Sequence, residues 1–152
     1  MEIKTLYQNL SKKHNLPDYD KLNNDFEIFS IEHTEFLLRE IRRKISEKVE
    51  SYIKTLTGVM QADSSFADMY EASALTEQEH ESAFKLFKRL MNLDRYSIEI
   101  SIDETDEKTA EFIKNIEKEW PKLKKEFKSI VNKLKTNWLK EIRVKTDTGY
   151  MG

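Results

Sequence analysis

The chain contains no cysteine among its 152 residues. Disulfide bonds, thiolate metal sites and cysteine nucleophiles are therefore excluded. No apolar run approaches the roughly 18 residues that a membrane-spanning helix needs, and the N-terminus lacks the apolar core of a signal peptide. We therefore expect a cytoplasmic protein with no membrane segment.

Glycine and proline are also scarce, at three and two residues, and two of the glycines lie within the last four positions. Hairpins and β-meanders need such turn residues, so their scarcity predicts an all-α fold. Charged residues make up 36% of the chain, but 8 Phe, 6 Tyr and 2 Trp supply a core. We expect one helical-bundle domain over residues 1–145 and a flexible tail over 146–152.

The apolar spacing predicts an elongated bundle of about four helices, two of them long. After a first helix over 3–13, residues 18–29 are predicted to be an irregular connector whose apolar residues pack on the core. Ser30 is the expected N-cap of the first long helix, over 31–60. That helix carries one apolar stripe, composed of Leu38, Ile41, Ile45, Val49, Tyr52, Leu56 and Val59.

A short helix is predicted within residues 65–74, followed by a helix over 77–101. Thr76 and Glu79 form a capping box at its start. The side expected to face the core carries Ala83, Phe87, Leu90 or Met91, and Ile98. Residues 98–102 alternate with a period of two, which also fits a strand, but helix is preferred because one short strand would lack a partner.

The last helix is predicted over 106–143, capped by Asp103 or Thr105. Its apolar residues recur every three or four positions at Ile113, Ile116, Trp120, Leu123, Phe127, Ile130 and Leu134. Pro121 interrupts this stripe. Proline lacks an N–H and clashes with the carbonyl group four residues earlier, so we expect a kinked helix, or two helices that keep one buried side.

No catalytic motif or phosphate-binding loop is present, and we predict a protein that is not an enzyme and binds neither cofactor nor small molecule. Glu77 and His80 have the spacing of helical metal sites. Such sites need a second pair of this kind, which neither His14 nor His33 supplies. Glu77 and His80 are therefore a weak metal candidate, and a solvent-exposed first turn is the preferred interpretation.

Charge is distributed unevenly along the chain. Residues 1–117 carry 16 basic and 24 acidic residues, whereas residues 118–145 carry 10 and 3. Binding to nucleic acid requires positive charge gathered on one face. The alternative functional hypothesis is thus nucleic-acid binding through the lysine-rich last helix and a basic cluster on the first long helix, composed of Arg39, Arg42, Arg43, Lys44 and Lys48.

The preferred hypothesis is a protein-interaction or assembly module, because the long amphipathic helices carry more apolar surface than a small globule readily covers. The partner would be another protein or a second copy of the chain, as in a homodimer. An intramolecular core accounts for the apolar stripes as well, and both uses can coexist. The residues proposed for contact lie outside the core stripes: Phe66, Met69, Tyr70, Tyr150 and Met151.

Overall fold

The computed structural model describes residues 2–61 and 65–140. In these ranges the chain forms six α-helices and one 3-10 turn, and no strand. They are α1 (Ile3–His14), α2 (Tyr19–Phe26), the 3-10 turn Ile28–Ser30, α3 (Leu37–Met60), α4 (Phe66–Ala72), α5 (Glu77–Ile102) and α6 (Asp106–Leu139). The all-α prediction is confirmed, whereas the number of helices is six rather than about four.

The core lies between α3, α5 and α6, which pack against one another. Both predicted stripes on α3 and α6 face it, and all of their members are buried except Tyr52 and Phe127, which are half-buried. Those two rings stack at 3.8 Å between centroids, and Tyr52 also stacks on Trp120 at 4.9 Å. The stacked rings of Tyr52, Trp120 and Phe127 thus connect the predicted apolar stripe of α3 with that of α6.

The predicted irregular connector is wrong, because residues 19–26 form α2. Asp18 caps this helix by accepting a hydrogen bond from the Lys21 amide. On its inner side Phe26 packs against Trp120, with ring centroids 5.0 Å apart. Leu22 and Ile28 are buried as predicted, whereas Phe29 is exposed. The connector is short and polar, and local capping makes it helical.

Ser30 does not cap α3, which begins seven residues later at Leu37. The Ser30 hydroxyl instead donates to the carbonyl of Glu27 and closes the 3-10 turn. A residue that can cap a helix can equally close a local turn. The prediction of a capping box at Thr76 and Glu79 is confirmed, with both hydrogen bonds formed.

Residues 98–102 belong to α5, so the preference for helix over strand is confirmed. The expected position of Ile98 in the core is wrong, because this side chain is 49% exposed. Leu90 is buried as one of the two predicted alternatives, and Leu86 and Leu93 are buried beside it. The core side of α5 is therefore rotated from the predicted one.

Pro121 lies inside α6, which continues as one helix from Asp106 to Leu139. The predicted break is wrong, and the predicted kink is not matched. Pro121 itself is exposed, while its neighbour Trp120 is buried. Residues of one stripe are buried on both sides of the proline, including Ile116, Trp120 and Leu123. No helix in the described ranges has the length and apolar character needed to cross a bilayer.

Candidate protein-binding surface

The short helix α4 is held at one end of the bundle. Ser65 caps it by accepting a hydrogen bond from the Asp68 amide at 3.1 Å. Asp68 approaches the backbone of α3 so closely that a Cβ added at Gly58 would stand 2.6 Å from its Oδ1 atom. Gly58 therefore makes room for α4 beside the end of α3.

Hydrogen bonds and ring contacts join α4 to the end of α6. The Tyr70 hydroxyl donates to the carbonyl of Asn137 at 2.8 Å. The Trp138 indole Nε1 donates to Glu71 at 2.9 Å, and the Tyr70 and Trp138 rings lie 4.5 Å apart. These contacts use Tyr70 and Trp138, which both remain partly exposed. They fix the orientation of α4 and leave its outer side open to solvent.

Among the described residues, four large apolar side chains on α4 and on the last turn of α6 are exposed, and we call them the α4 patch: Phe66, Met69, Trp138 and Leu139. Their exposed fractions are 81%, 56%, 49% and 77%, respectively. Phe66 and Met69 lie on the outer side of α4, one turn apart. Neighbouring exposed apolar residues mark interaction surfaces more often than single ones do.

The α4 patch contains two of the five contact residues predicted from the sequence. Phe66 and Met69 are exposed, whereas Tyr70 is half-buried and packs against α6. Tyr150 and Met151 lie outside the described residues. The sequence analysis did not predict the two other members, Trp138 and Leu139. Leu139 lies outside the core stripe of α6, and an apolar residue at such a position is itself a signal of a contact surface.

Trp138 shows why periodicity alone did not identify it. It lies four residues after Leu134 and so continues the buried stripe of α6. At that level, however, Trp138 is covered on one side by α4 and remains 49% exposed. Whether a residue in the stripe is buried depends on where the neighbouring helices end.

The basic cluster on α3 does not form one solvent-facing surface, because Arg42 is buried. Its Nε and Nη2 atoms donate to the two carboxylate oxygens of Glu104, each at 2.9 Å, and its Nη1 donates to Ser97 Oγ at 2.9 Å. Thr109 Oγ1 donates to the same carboxylate at 2.7 Å. Only 8% of the Arg42 and Glu104 side chains is exposed.

Burial by itself would raise the pKa of Glu104. The hydrogen bonds from Arg42 and Thr109, together with the positive charges of Arg42 and Arg39, outweigh this effect and hold the pKa below its ordinary value. Glu104 is therefore a carboxylate that already has its partners. Arg42 is committed to it and is not available for a phosphate group.

The remaining members of the basic cluster point in several directions. Arg39 lies 4.0 Å from Glu104 and over the Phe36 ring. Arg43 pairs with Glu40 on its own helix. Lys44 and Lys48 are half-buried and line a separate shallow groove beside Phe26 and Glu27. The structure thus divides the five residues among three environments.

Glu77 and His80 are not brought together with further ligands. Glu77 is exposed in the first turn of α5. His80 Nε2 lies 2.8 Å from the carbonyl oxygen of Ala72, the last residue of α4. Among residues 2–61 and 65–140, no group of three or more metal-binding side chains is close enough to hold an ion.

Comparison of the chain with protein-family models, with curated proteins and with solved structures gave no match.

Proposed function

We propose that this protein is a non-enzymatic cytoplasmic binding module that docks an apolar segment of another protein on the α4 patch. The observation that carries the proposal is the exposure of Phe66 and Leu139, which is close to 80% for each. Both side chains belong to a surface whose backbone is held by defined contacts of α4 with α6. A rigid support for exposed apolar groups lowers the entropic cost of binding.

Charge around the α4 patch favours a particular kind of partner. Lys135 lies on α6 one turn before Trp138, and Lys140 follows the end of this helix. Both are exposed, and neither has an ion pair with another described residue. The nearby carboxylate of Glu71 already accepts the Trp138 indole hydrogen. The proposed partner is therefore an amphipathic helical segment that places apolar side chains on the patch and acidic residues at its edge.

The two tryptophans allow a direct test. Trp138 belongs to the α4 patch, whereas Trp120 is buried in the core and only 1% exposed. The probes are tryptophan-free helical peptides with a leucine face and a glutamate-rich polar face, and matched peptides with lysine in place of glutamate. We expect the acidic peptides to shift the Trp138 emission to shorter wavelength with saturation, and the basic peptides to bind more weakly.

The test variant is Phe66→Ser with Leu139→Ser, and the matched control is Ile102→Ser. Ile102 is 78% exposed but lies at the end of α5 remote from the α4 patch. We expect the test variant to lose the peptide response, while both variants keep a free energy of unfolding within about 0.5 kcal/mol of the parent. A parent that gives no saturable shift, or a test variant that binds like the parent, would refute the proposal.

The nucleic-acid alternative has less support. Arg42 is buried in its pair with Glu104, and Arg43 is engaged by Glu40. What supports it is the outer side of α6, where Lys118, Lys122 and Lys125 are exposed. Phosphate binding by these lysines would give an affinity that falls steeply with salt.

A further inference from the structure

The outward side of α6 changes the sign of its charge between residues 107 and 125. Glu107 and Glu111 come first, and Lys118, Lys122 and Lys125 follow them. At about 100° per residue, all five side chains fall within about 60° of one another around the helix. All five are exposed. We call this row of residues the α6 charge stripe.

Most of the α6 charge stripe lacks a partner in the part of the chain that the structure describes. Among the described residues, Glu107, Lys118, Lys122 and Lys125 make no ion pair or side-chain hydrogen bond. Glu111 is 3.7 Å from Lys114, in the next turn. Two lysines off the stripe do have partners, because Lys124 pairs with Asp25 and Lys133 with Glu79. The stripe therefore holds four charged side chains without a partner among the described residues, on the side of α6 that faces away from the core.

The acidic half of the stripe borders a groove of about 490 Å³ between α5 and α6. Its lining combines the partly buried Tyr96 ring and Ile100 with four carboxylates and one lysine: Glu99, Asp103, Glu107, Glu111 and Lys108. Lys108 pairs with Asp103. The groove therefore has an apolar floor and an excess of negative charge at its edge, which suits the long apolar stems and charged ends of lysine side chains.

We propose that the α6 charge stripe is a self-association surface, on which two copies of this chain pair through antiparallel α6 helices. A two-fold interface requires that a residue i contacts j while j contacts i. With the axis at the level of Ile116, Glu107 of one copy faces Lys125 of the other, and Glu111 faces Lys122. The pairs Glu107–Lys125 and Glu111–Lys122 each occur twice in this arrangement. Lys118 faces position 114 close to the axis and gains no acidic partner there.

The geometry of one helix sets the register. Glu107 and Lys125 lie about 27 Å apart along the axis, and Glu111 and Lys122 about 17 Å, at 1.5 Å per residue. These two intervals share one midpoint to within a residue. The parallel arrangement would instead place lysine against lysine and glutamate against glutamate. Charge complementarity thus selects the antiparallel pair and disfavours the parallel one.

The interaction is expected to be weak and sensitive to salt. Exposed ion pairs each contribute roughly 0.2–1 kcal/mol, so the four cross-pairs need the contact of lysine stems with the groove floor to hold two copies together. Over about 50 to 500 mM NaCl, screening should raise the dissociation constant of the pair about tenfold or more. This surface is separate from the α4 patch, so the proposal does not depend on the proposed function.

Charge reversal gives the decisive experiment. Molar mass is measured by sedimentation equilibrium at low salt and about 100 µM protein, which suits a weak interface. The acidic variant is K122E/K125E and the basic variant is E107K/E111K. We expect the parent to dimerise, each variant alone to be monomeric, and an equimolar mixture to form a heterodimer, because one copy is then acidic in both halves and the other basic.

The mixture also shows that both variants are folded, since only intact helices restore the dimer. The matched control K54E/K88E changes the net charge as K122E/K125E does but lies away from the stripe, and it should dimerise like the parent. A monomeric parent, a dimer that survives either reversal, or a mixture that stays monomeric would each overturn the proposal. Retention of an oligonucleotide by a monomeric parent, lost in K122E/K125E, would assign the stripe to nucleic acid instead.

Discussion

The two ends of the bundle are closed in different ways. Where α5 turns into α6, the buried Arg42 reaches across from α3 to Glu104, and hydroxyl groups of Ser97 and Thr109 complete the network. At the other end, α4 is held mainly by partly exposed contacts, and the α4 patch remains open to solvent. The difference teaches that the buried charges of Arg42 and Glu104 are matched inside the chain, whereas exposed apolar groups are free to be matched outside it.

The largest effect is expected from removing Arg42. The substitution Arg42→Ala leaves the Glu104 carboxylate buried without its main partner, so the free energy of unfolding should fall by about 3–5 kcal/mol. Urea denaturation followed by circular dichroism measures this change. Arg39→Ala is the control, because the Arg39 side chain is 42% exposed and 4.0 Å from Glu104, and it should cost less than about 1 kcal/mol. Equal losses of unfolding free energy in Arg42→Ala and Arg39→Ala would contradict the contrast between the two ends of the bundle.

A pH series sharpens the same comparison at Glu104. Since its pKa is lower in the folded chain than its ordinary value of 4.5, its ionised form stabilises the fold above that value, and this contribution is lost as the pH falls through the folded pKa. The stability gap between the parent and Glu104→Gln should therefore be widest near neutral pH and shrink in acid. Unfolding curves at a series of pH values measure it, and a gap that grows on acidification would refute the assignment.

The smallest of the three effects is expected at the α4 end. Tyr70→Phe removes the hydrogen bond to the Asn137 carbonyl and should lower the free energy of unfolding by about 1 kcal/mol. Loosening of α4 should also move the Trp138 emission to longer wavelength, because the indole would gain contact with water. Tyr19→Phe is the control, since its hydroxyl makes no hydrogen bond within the described residues. An unchanged emission in Tyr70→Phe would show that α4 does not depend on this contact.

Features that arise from local sequence were predictable. The all-α class, both long apolar stripes and the capping box follow from spacing and from capping residues within a few positions. The burial of Arg42 was not predictable, because it depends on Glu104, which is 62 positions away. From the sequence alone, Arg42 was therefore assigned to the basic cluster on the helix surface. Only the packing of α3 against the α5–α6 turn shows that its side chain is buried.

Only part of the candidate site was predictable, because only part of it depends on local sequence. Phe66 and Met69 stand out as apolar residues in a polar connecting region, so composition was enough to suggest them. Trp138 could not be distinguished from a core residue, because α6 extends beyond the cover of its neighbours. The sequence indicated a lysine-rich last helix, but the α6 charge stripe, with its two glutamates and its lack of partners, required the structure.

Pro121 has a further consequence for the long helix that contains it. Because proline carries no amide hydrogen, the hydrogen-bond ladder of α6 lacks one rung at the carbonyl of Glu117. The segments before and after this gap share one stripe of side chains that are buried in the core. The gap also lies within the α6 charge stripe, between Lys118 and Lys122. At this point the continuity of α6 therefore rests on the burial of Trp120 and Leu123, which are 1% and 2% exposed, rather than on a complete hydrogen-bond ladder.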